Sequence, residues 1–257
     1  MLGAVAGDII GSAHEFCPVK TMDFPLFVEG SKFTDDSVLS AATAFSLLTD
    51  GDYAENYRIF GRLYPMAGYG AGFKNWLVSK EGTPYNSWGN GSAMRVAPVG
   101  YAFDEEDEVL REAERSAAVT HNHPEGIKGA QAVALGTFLA RRGAEPAQIK
   151  KEISARFGYD LDRTVAKIRP GYSFDVSCQG SVPEAVICFL EGGDWEQAVR
   201  LAVSLGGDAD TQACMAGALA EARFGAVPAE IEHRTREMLP GHLLEVIDDF
   251  IAKFMTD

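Results

Sequence analysis

Two short segments, TDDS at 34–37 and GGDADT at 206–211, each set two carboxylates and a threonine hydroxyl directly before an apolar run with helical spacing. Such hard oxygen donors suit magnesium, manganese or calcium and suit zinc poorly. Residues i and i+2 diverge by about 200° on a helix, so Asp208 and Asp210 address one point only where the backbone is irregular. Gly206 and Gly207 permit that irregularity. Four carboxylates gathered without a cation repel one another and have raised pKa values, a conflict that metal binding resolves. A plainer reading stands beside this one. Thr34 is a good helix N-cap, and Asp35 and Asp36 in a first turn oppose the positive end of the helix dipole.

Three further constellations could carry chemistry. In SWGNGSAMR, Gly89, Asn90, Gly91 and Ser92 precede an expected helix containing Arg95. Such a turn exposes backbone N–H groups to a phosphate, although Asn-Gly is also an ordinary turn. In THNHPEG, His121 and His123 stand before Pro124. The pair reads as the end of one helix and the start of the next, as a metal ligand, or as a contact to a sugar or nucleobase. In GDIIGSAHEF, Asp8 and Glu15 are flanked by Gly7 and Gly11, which allow close backbone approach. Taken by itself, Glu15 reads as a surface residue.

The elements that must position these groups are helices almost throughout. Val38, Leu39, Ala42, Phe45 and Leu48 form one apolar stripe, and Trp195, Val199, Ala202 and Leu205 form another. The segments 105–118, 124–142, 145–157, 182–191, 208–223, 228–238 and 242–255 read the same way. Pro124, Pro146 and Pro228 lie at or near helix starts, and Gly143, Gly158 and Gly225 follow helix ends. The one period-two run, YSFDVSC, is a short strand or an extended loop and makes no sheet by itself. No repeat, charge run or Ser/Gly-rich linker divides the chain, so the expectation is a single all-α domain over 1–257 with roughly a dozen helices.

Composition narrows the functional classes. The chain has 257 residues with 46% hydrophobic and 23% charged, the balance of an ordinary globular protein. A net charge of −14 works against a general grip on nucleic acid or on an anionic membrane. No apolar stretch reaches membrane-spanning length, and Asp8 interrupts the N-terminal run, which lacks preceding Lys or Arg. The expectation is a cytoplasmic protein with no secretory signal. Cys17, Cys178, Cys188 and Cys214 lack zinc-site spacing and read as reduced packing residues.

In order along the chain, GDIIGSAHE, TDDS, GNGSAMRVAP, THNHPEG and GGDADTQACMAGALAEARFG resemble the motifs of the ADP-ribosylglycohydrolases. The resemblance implies a compact, orthogonal multi-helix fold with two divalent cations, Mg²⁺ or Mn²⁺, at the base of a cleft. It implies that Thr34, Asp35, Asp36, Asp208, Asp210 and Thr211 hold those cations. Glu15 matches a mobile glutamate that reaches the centre, and it would share the catalytic work with Asp35, Asp36 and Asp208. Gly89, Asn90, Gly91 and Ser92 would lie against a diphosphate, with His121 near the ribose or adenine. The implied reaction is hydrolysis at the anomeric carbon of ADP-ribose, its partner an ADP-ribosylated protein, arginine-linked by preference, or a small ADP-ribosyl compound. Ser37 stands where the family more often has threonine. Two alternatives remain open at this level: a non-catalytic ADP-ribose reader, and a D-x-D nucleotide-sugar transferase, which requires alternating strands and helices.

Overall fold

The computed structural model describes residues 1–256, which form fifteen helical segments and no strand. They are α1 (Leu2–Ser12), α2 (Asp35–Thr49), α3 (Tyr53–Leu63), α4 (Ala71–Val78), α5 (Gly91–Met94), α6 (Ala97–Ala102), α7 (Glu106–Ala118) and α8 (Pro124–Arg141). After these come α9 (Pro146–Phe157), α10 (Val165–Ile168), α11 (Cys178–Glu191), α12 (Trp195–Val203), α13 (Ala209–Phe224), α14 (Ala229–Glu237) and α15 (Gly241–Phe254). The fold is all-α, as expected. The strand–helix alternation required by the transferase alternative is absent among the described residues.

The expected helix starts and stops have visible causes. Pro124 and Pro146 open α8 and α9 at the first position, where an N–H would have no intrahelical partner. Gly158 and Gly225 close α9 and α13 in the left-handed conformation, with φ of 67° and 87°. The largest boundary difference is α11, which starts at Cys178 rather than near residue 182. Ser177 caps it by accepting from the Gly180 N–H at 3.1 Å, and Pro183 is tolerated inside the helix. The run YSFDVSC is an extended loop, joined to the rest by one isolated antiparallel bridge between Gly89 and Ser177.

At the centre lies α13, packed against α1, α8, α11 and α12. Every residue from Ala209 to Glu221 is buried, and so is every residue from Leu2 to Gly11 of α1. A helix surrounded on all sides has no polar face, so the apolar stripe that marks surface helices is missing from both. Their approach is set by small residues. An ideal Cβ on Gly3 would lie 2.5 Å from the Gly217 carbonyl oxygen, one on Gly7 2.1 Å from that of Ala213, and one on Gly11 2.3 Å from that of Ala209. These four-residue steps run antiparallel on the two helices, so backbone meets backbone for three turns. Asp8 and Asp210, each next to a contact position, are thereby brought into one neighbourhood.

Of the four cysteines, Cys178, Cys188 and Cys214 are buried free thiols that pack in the core. Cys17 is free but exposed, a correction to its reading as a packing residue. No helix among the described residues is long and apolar enough to cross a membrane.

Candidate metal centre

Asp8 projects from the middle of α1 and is wholly buried. It accepts hydrogen bonds from the Thr34 hydroxyl at 2.7 Å, the Thr34 N–H at 2.9 Å and the Ser37 N–H at 3.1 Å, and from the Ser37 hydroxyl. It thus binds the first turn of α2 to α1. Thr34 also caps α2, accepting from the Asp36 N–H at 3.3 Å. Capping and site-building are one arrangement here, because the cap aims Asp35 and Asp36 at the N-terminus of α13.

At that second N-terminus the backbone is irregular, as two converging aspartates require. Gly206 has φ +64°, and Asp208 sits outside the helix at φ −73°, ψ 79°. Asp208 Oδ2 accepts from Asn90 Nδ2 at 2.7 Å, and Asp210 Oδ1 accepts from the Thr211 N–H at 2.9 Å. The Thr211 hydroxyl donates across to Asp36 Oδ2 at 3.2 Å. Lys20 fastens the surrounding loops, with Nζ donating to the carbonyls of Arg169 at 3.0 Å, Tyr172 at 2.6 Å and Leu205.

Two carboxylate groups result, each with its ligand atoms within 4.8 Å of one another: Asp8, Asp36 and Asp210 in one, Glu15, Asp208 and Asp210 in the other. Asp210 belongs to both. Asp36 Oδ1 is buried and has no hydrogen-bond partner among the described residues. Buried polar atoms are nearly always satisfied, so an orphaned carboxylate oxygen inside an acidic cluster fits a missing electropositive partner. An all-oxygen donor set of high negative charge fits a hard divalent cation.

The electrostatics agree. Burial raises the Asp36 and Asp210 carboxyls well above the usual range, and their acidic neighbours add to it. Asp35 is pushed up to about 8 by burial, then by Asp210 and Asp8. Glu15 rises to about 7 through burial and the Asp210 charge, with Lys32 opposing. Asp208 reaches about 6, burial outweighing its hydrogen bonds from Asp210 and Asn90. Asp8 is raised as well, since desolvation exceeds the effect of its four hydrogen bonds.

The cluster opens into a cleft of about 420 Å³, lined by Glu15, Asp35, Asp36, Asp210 and Thr211 together with Gly89, Asn90, Gly91, Arg95 and His121. Thr34 and Asp208 belong to the cluster without lining the cleft. The antiparallel bridge at Ser177 sets the glycine turn, with the Asn90 N–H donating to Val176 O at 2.8 Å and the Cys178 N–H to Trp88 O at 2.9 Å. Ser92 departs from its expected place: its hydroxyl is fully buried and donates to Gly126 O at 2.7 Å, so no diphosphate meets that side chain. His123 caps α8, accepting from the Glu125 N–H at 3.1 Å, while His121 lies in the cleft wall. At the mouth, Phe16 and Phe174 stack at 6.4 Å between ring centroids.

Asp8 has no place in the ligand set implied by the resemblance, yet it holds the first group together. Its sequence signal is a single acid within an apolar stretch, since an aspartate is fully buried only when paired or ligated.

Comparison with known proteins places this geometry in context. The family model described as ADP-ribosylglycohydrolase matches residues 1–257. The chain is 27% identical over 302 aligned positions to the protein named ADP-ribosylhydrolase ARH3 from Danio rerio, covering 88% of this chain and 81% of that one. It is 26% identical over 262 positions to ADP-ribosylarginine hydrolase Tri1 from Pseudomonas putida (strain GB-1), covering 88% and 69%. A solved structure titled ADP-ribosylglycohydrolase-related protein complex superposes with a TM-score of 0.71 at 28% identity, over 98% of this chain and 94% of that one. With its all-helical architecture and two acidic N-termini facing one cleft, the chain belongs to the ADP-ribosylglycohydrolase family, hydrolases that act on glycosyl bonds.

Proposed function

We propose that the protein cleaves the bond at the anomeric carbon of ADP-ribose and so removes ADP-ribose from a modified side chain, arginine-linked by preference. The observation that carries this reading is the convergence of two acidic groups, sharing Asp210, on a cleft that the Gly89-Asn90-Gly91 turn also lines. An acidic cluster and a glycine turn lining one cleft suit a ligand with a ribose at one end and a diphosphate at the other. The arginine preference draws on the similarity to the Pseudomonas putida protein named ADP-ribosylarginine hydrolase and on the mouth of the cleft. There Glu15, Phe16 and Phe174 offer a carboxylate and aromatic faces, partners suited to a guanidinium.

Asp8, Asp36, Asp210, Asp208 and Glu15, with the Thr211 hydroxyl beside them, would hold one or two magnesium or manganese ions; of the other expected ligands, Asp35 lies outside both carboxylate groups and the Thr34 hydroxyl donates to Asp8 at 2.7 Å. When bound, such ions supply Lewis acidity, which anchors ribose hydroxyls and lowers the pKa of a water. The remaining chemistry belongs to the chain. Departure of the side chain builds positive charge on the ribose, and buried carboxylates facing it stabilise that oxocarbenium-like charge. Glu15, half-buried in the turn after α1 and titrating at about 7, is suited to exchange a proton with the attacking water or the leaving group. In the glycine turn the Gly89 N–H already donates to the Ser87 hydroxyl at 3.1 Å and the Asn90 N–H to the Val176 carbonyl at 2.8 Å, which leaves the Gly91 N–H for the diphosphate.

A hydrolysis panel tests the proposal. Arginine-, serine- and nucleobase-linked ADP-ribose are each incubated with the protein and added Mg²⁺ or Mn²⁺, and free ADP-ribose is measured. Release from the arginine-linked substrate supports the reading. Binding of ADP-ribose with no linkage cut would identify a non-catalytic reader instead.

A further inference from the structure

We infer that Arg95 and Thr120 are positioning residues that fix His121 as the neutral imidazole tautomer protonated on Nε2, so that it presents a hydrogen-bond donor to an oxygen of the ligand in the cleft. The inference rests on the reading of that cleft as an ADP-ribose site.

Arg95 is fully buried, and a guanidinium only donates. Its Nη2 donates to the Ser116 carbonyl at 3.1 Å and to the Thr120 hydroxyl oxygen at 2.8 Å. The Thr120 oxygen therefore accepts from Arg95, and the same oxygen lies 2.7 Å from His121 Nδ1. Thr120 is itself wholly buried, and among the described residues its hydroxyl makes hydrogen bonds only with Arg95 and His121. The hydroxyl hydrogen must point at Nδ1, since the alternative strands a hydroxyl proton inside the core. Nδ1 is then an acceptor, and in a neutral ring the proton resides on Nε2.

Burial and the Arg95 charge both disfavour the imidazolium, holding the His121 pKa well below its ordinary value. Arg95 is kept in place by Tyr57, whose ring lies 4.2 Å below the guanidinium carbon. His121 Nε2 makes no hydrogen bond to the protein among the described residues and faces the glycine turn. An ideal Cβ on Gly91 would lie 3.2 Å from it, and one on Gly89 3.7 Å away. The absence of side chains at these two positions leaves the Nε2–H free to meet an acceptor in the cleft.

The test reads the ring nitrogens of the full chain by nitrogen-15 NMR, with His121 assigned by loss of its signals in His121→Gln. The expected wild-type spectrum has Nε2 protonated and Nδ1 unprotonated. Thr120→Val keeps the shape and removes the hydroxyl proton. It should admit the Nδ1-protonated form and weaken ADP-ribose binding by roughly three- to tenfold, the range of one hydrogen bond. Thr120→Ser should restore both. An unprotonated Nε2 in the wild type, or unchanged ADP-ribose affinity in Thr120→Val, overturns the inference. If the wild type binds no ADP-ribose, the functional reading fails, while the tautomer still decides the relay.

Discussion

The Thr211 hydroxyl donates to Asp36 Oδ2 at 3.2 Å although the residues stand 175 positions apart. This contact joins the N-terminus of α2 to that of α13. It leaves the other oxygen of Asp36 without a partner among the described residues. A carboxylate held so firmly and satisfied so incompletely serves a ligand at the expense of the ligand-free fold.

Asp36→Asn tests that trade. It preserves volume and deletes a desolvated, crowded charge, so metal affinity should fall roughly 10- to 100-fold or more. In EDTA the variant should melt higher than the wild type, because repulsion among the acids is relieved. Calorimetric titration with Mn²⁺ and a thermal melt in chelator check the two halves separately.

The acidic groups also set the direction of pH dependence. Asp208, Glu15 and Asp35 titrate at about 6, 7 and 8 in the metal-free fold, against about 4 for an unfolded carboxyl. Between about pH 4 and 8 the folded chain holds more protons than the unfolded chain, so stability falls as pH rises. The contribution is complete below pH 4 and is lost as pH rises through the folded values. Divalent cations compete with those protons. Melting curves at pH 5.5 and 8 should show a lower Tm at pH 8 in EDTA and a larger rise on adding Mn²⁺ at pH 8 than at pH 5.5.

Gly7→Ala should be harmful although alanine favours helices by about 1 kcal/mol over glycine. Its Cβ would stand 2.1 Å from the Ala213 carbonyl oxygen, and neither backbone can yield without moving Asp8 or Asp210. A net loss on the order of 2 kcal/mol, a Tm drop of roughly 4 to 8 °C, is expected. Denaturation measures it, and activity should fall further than the loss of folded protein explains.

Asn90→Asp would replace the amide donating to Asp208 at 2.7 Å with a carboxylate. Two acids at that distance share a proton or separate. Turnover should fall at pH 7 and partly recover with excess Mn²⁺, a rescue that assays over a range of metal concentrations would reveal. Asn90→Ala, which removes the donor without adding charge, should lose less.

Much of the site could be read from local chemistry. Thr34, the paired aspartates and the glycines before Asp208 follow rules of capping and backbone freedom that act within a few residues. Ligand chemistry marks TDDS and GGDADT separately, the family resemblance implies their convergence, and the fold brings Asp36 and Thr211 within 3.2 Å. Asp8 was harder to place, because its importance depends on which helix packs against α1. The helix α1 itself is apolar on all sides, so periodicity could not announce it. Ser92 falls in the short helix α5, where its hydroxyl points inward to the Gly126 carbonyl, a tertiary outcome with no local signal.

The central claim is most directly tested by titrating Mn²⁺ into metal-stripped protein while measuring ADP-ribose release from an arginine-linked substrate. The account predicts no release without metal, release rising with occupancy, and a response in folded Asp36→Asn shifted roughly tenfold or more toward higher Mn²⁺. Full turnover by the metal-stripped protein, or an unshifted response in Asp36→Asn, would contradict it.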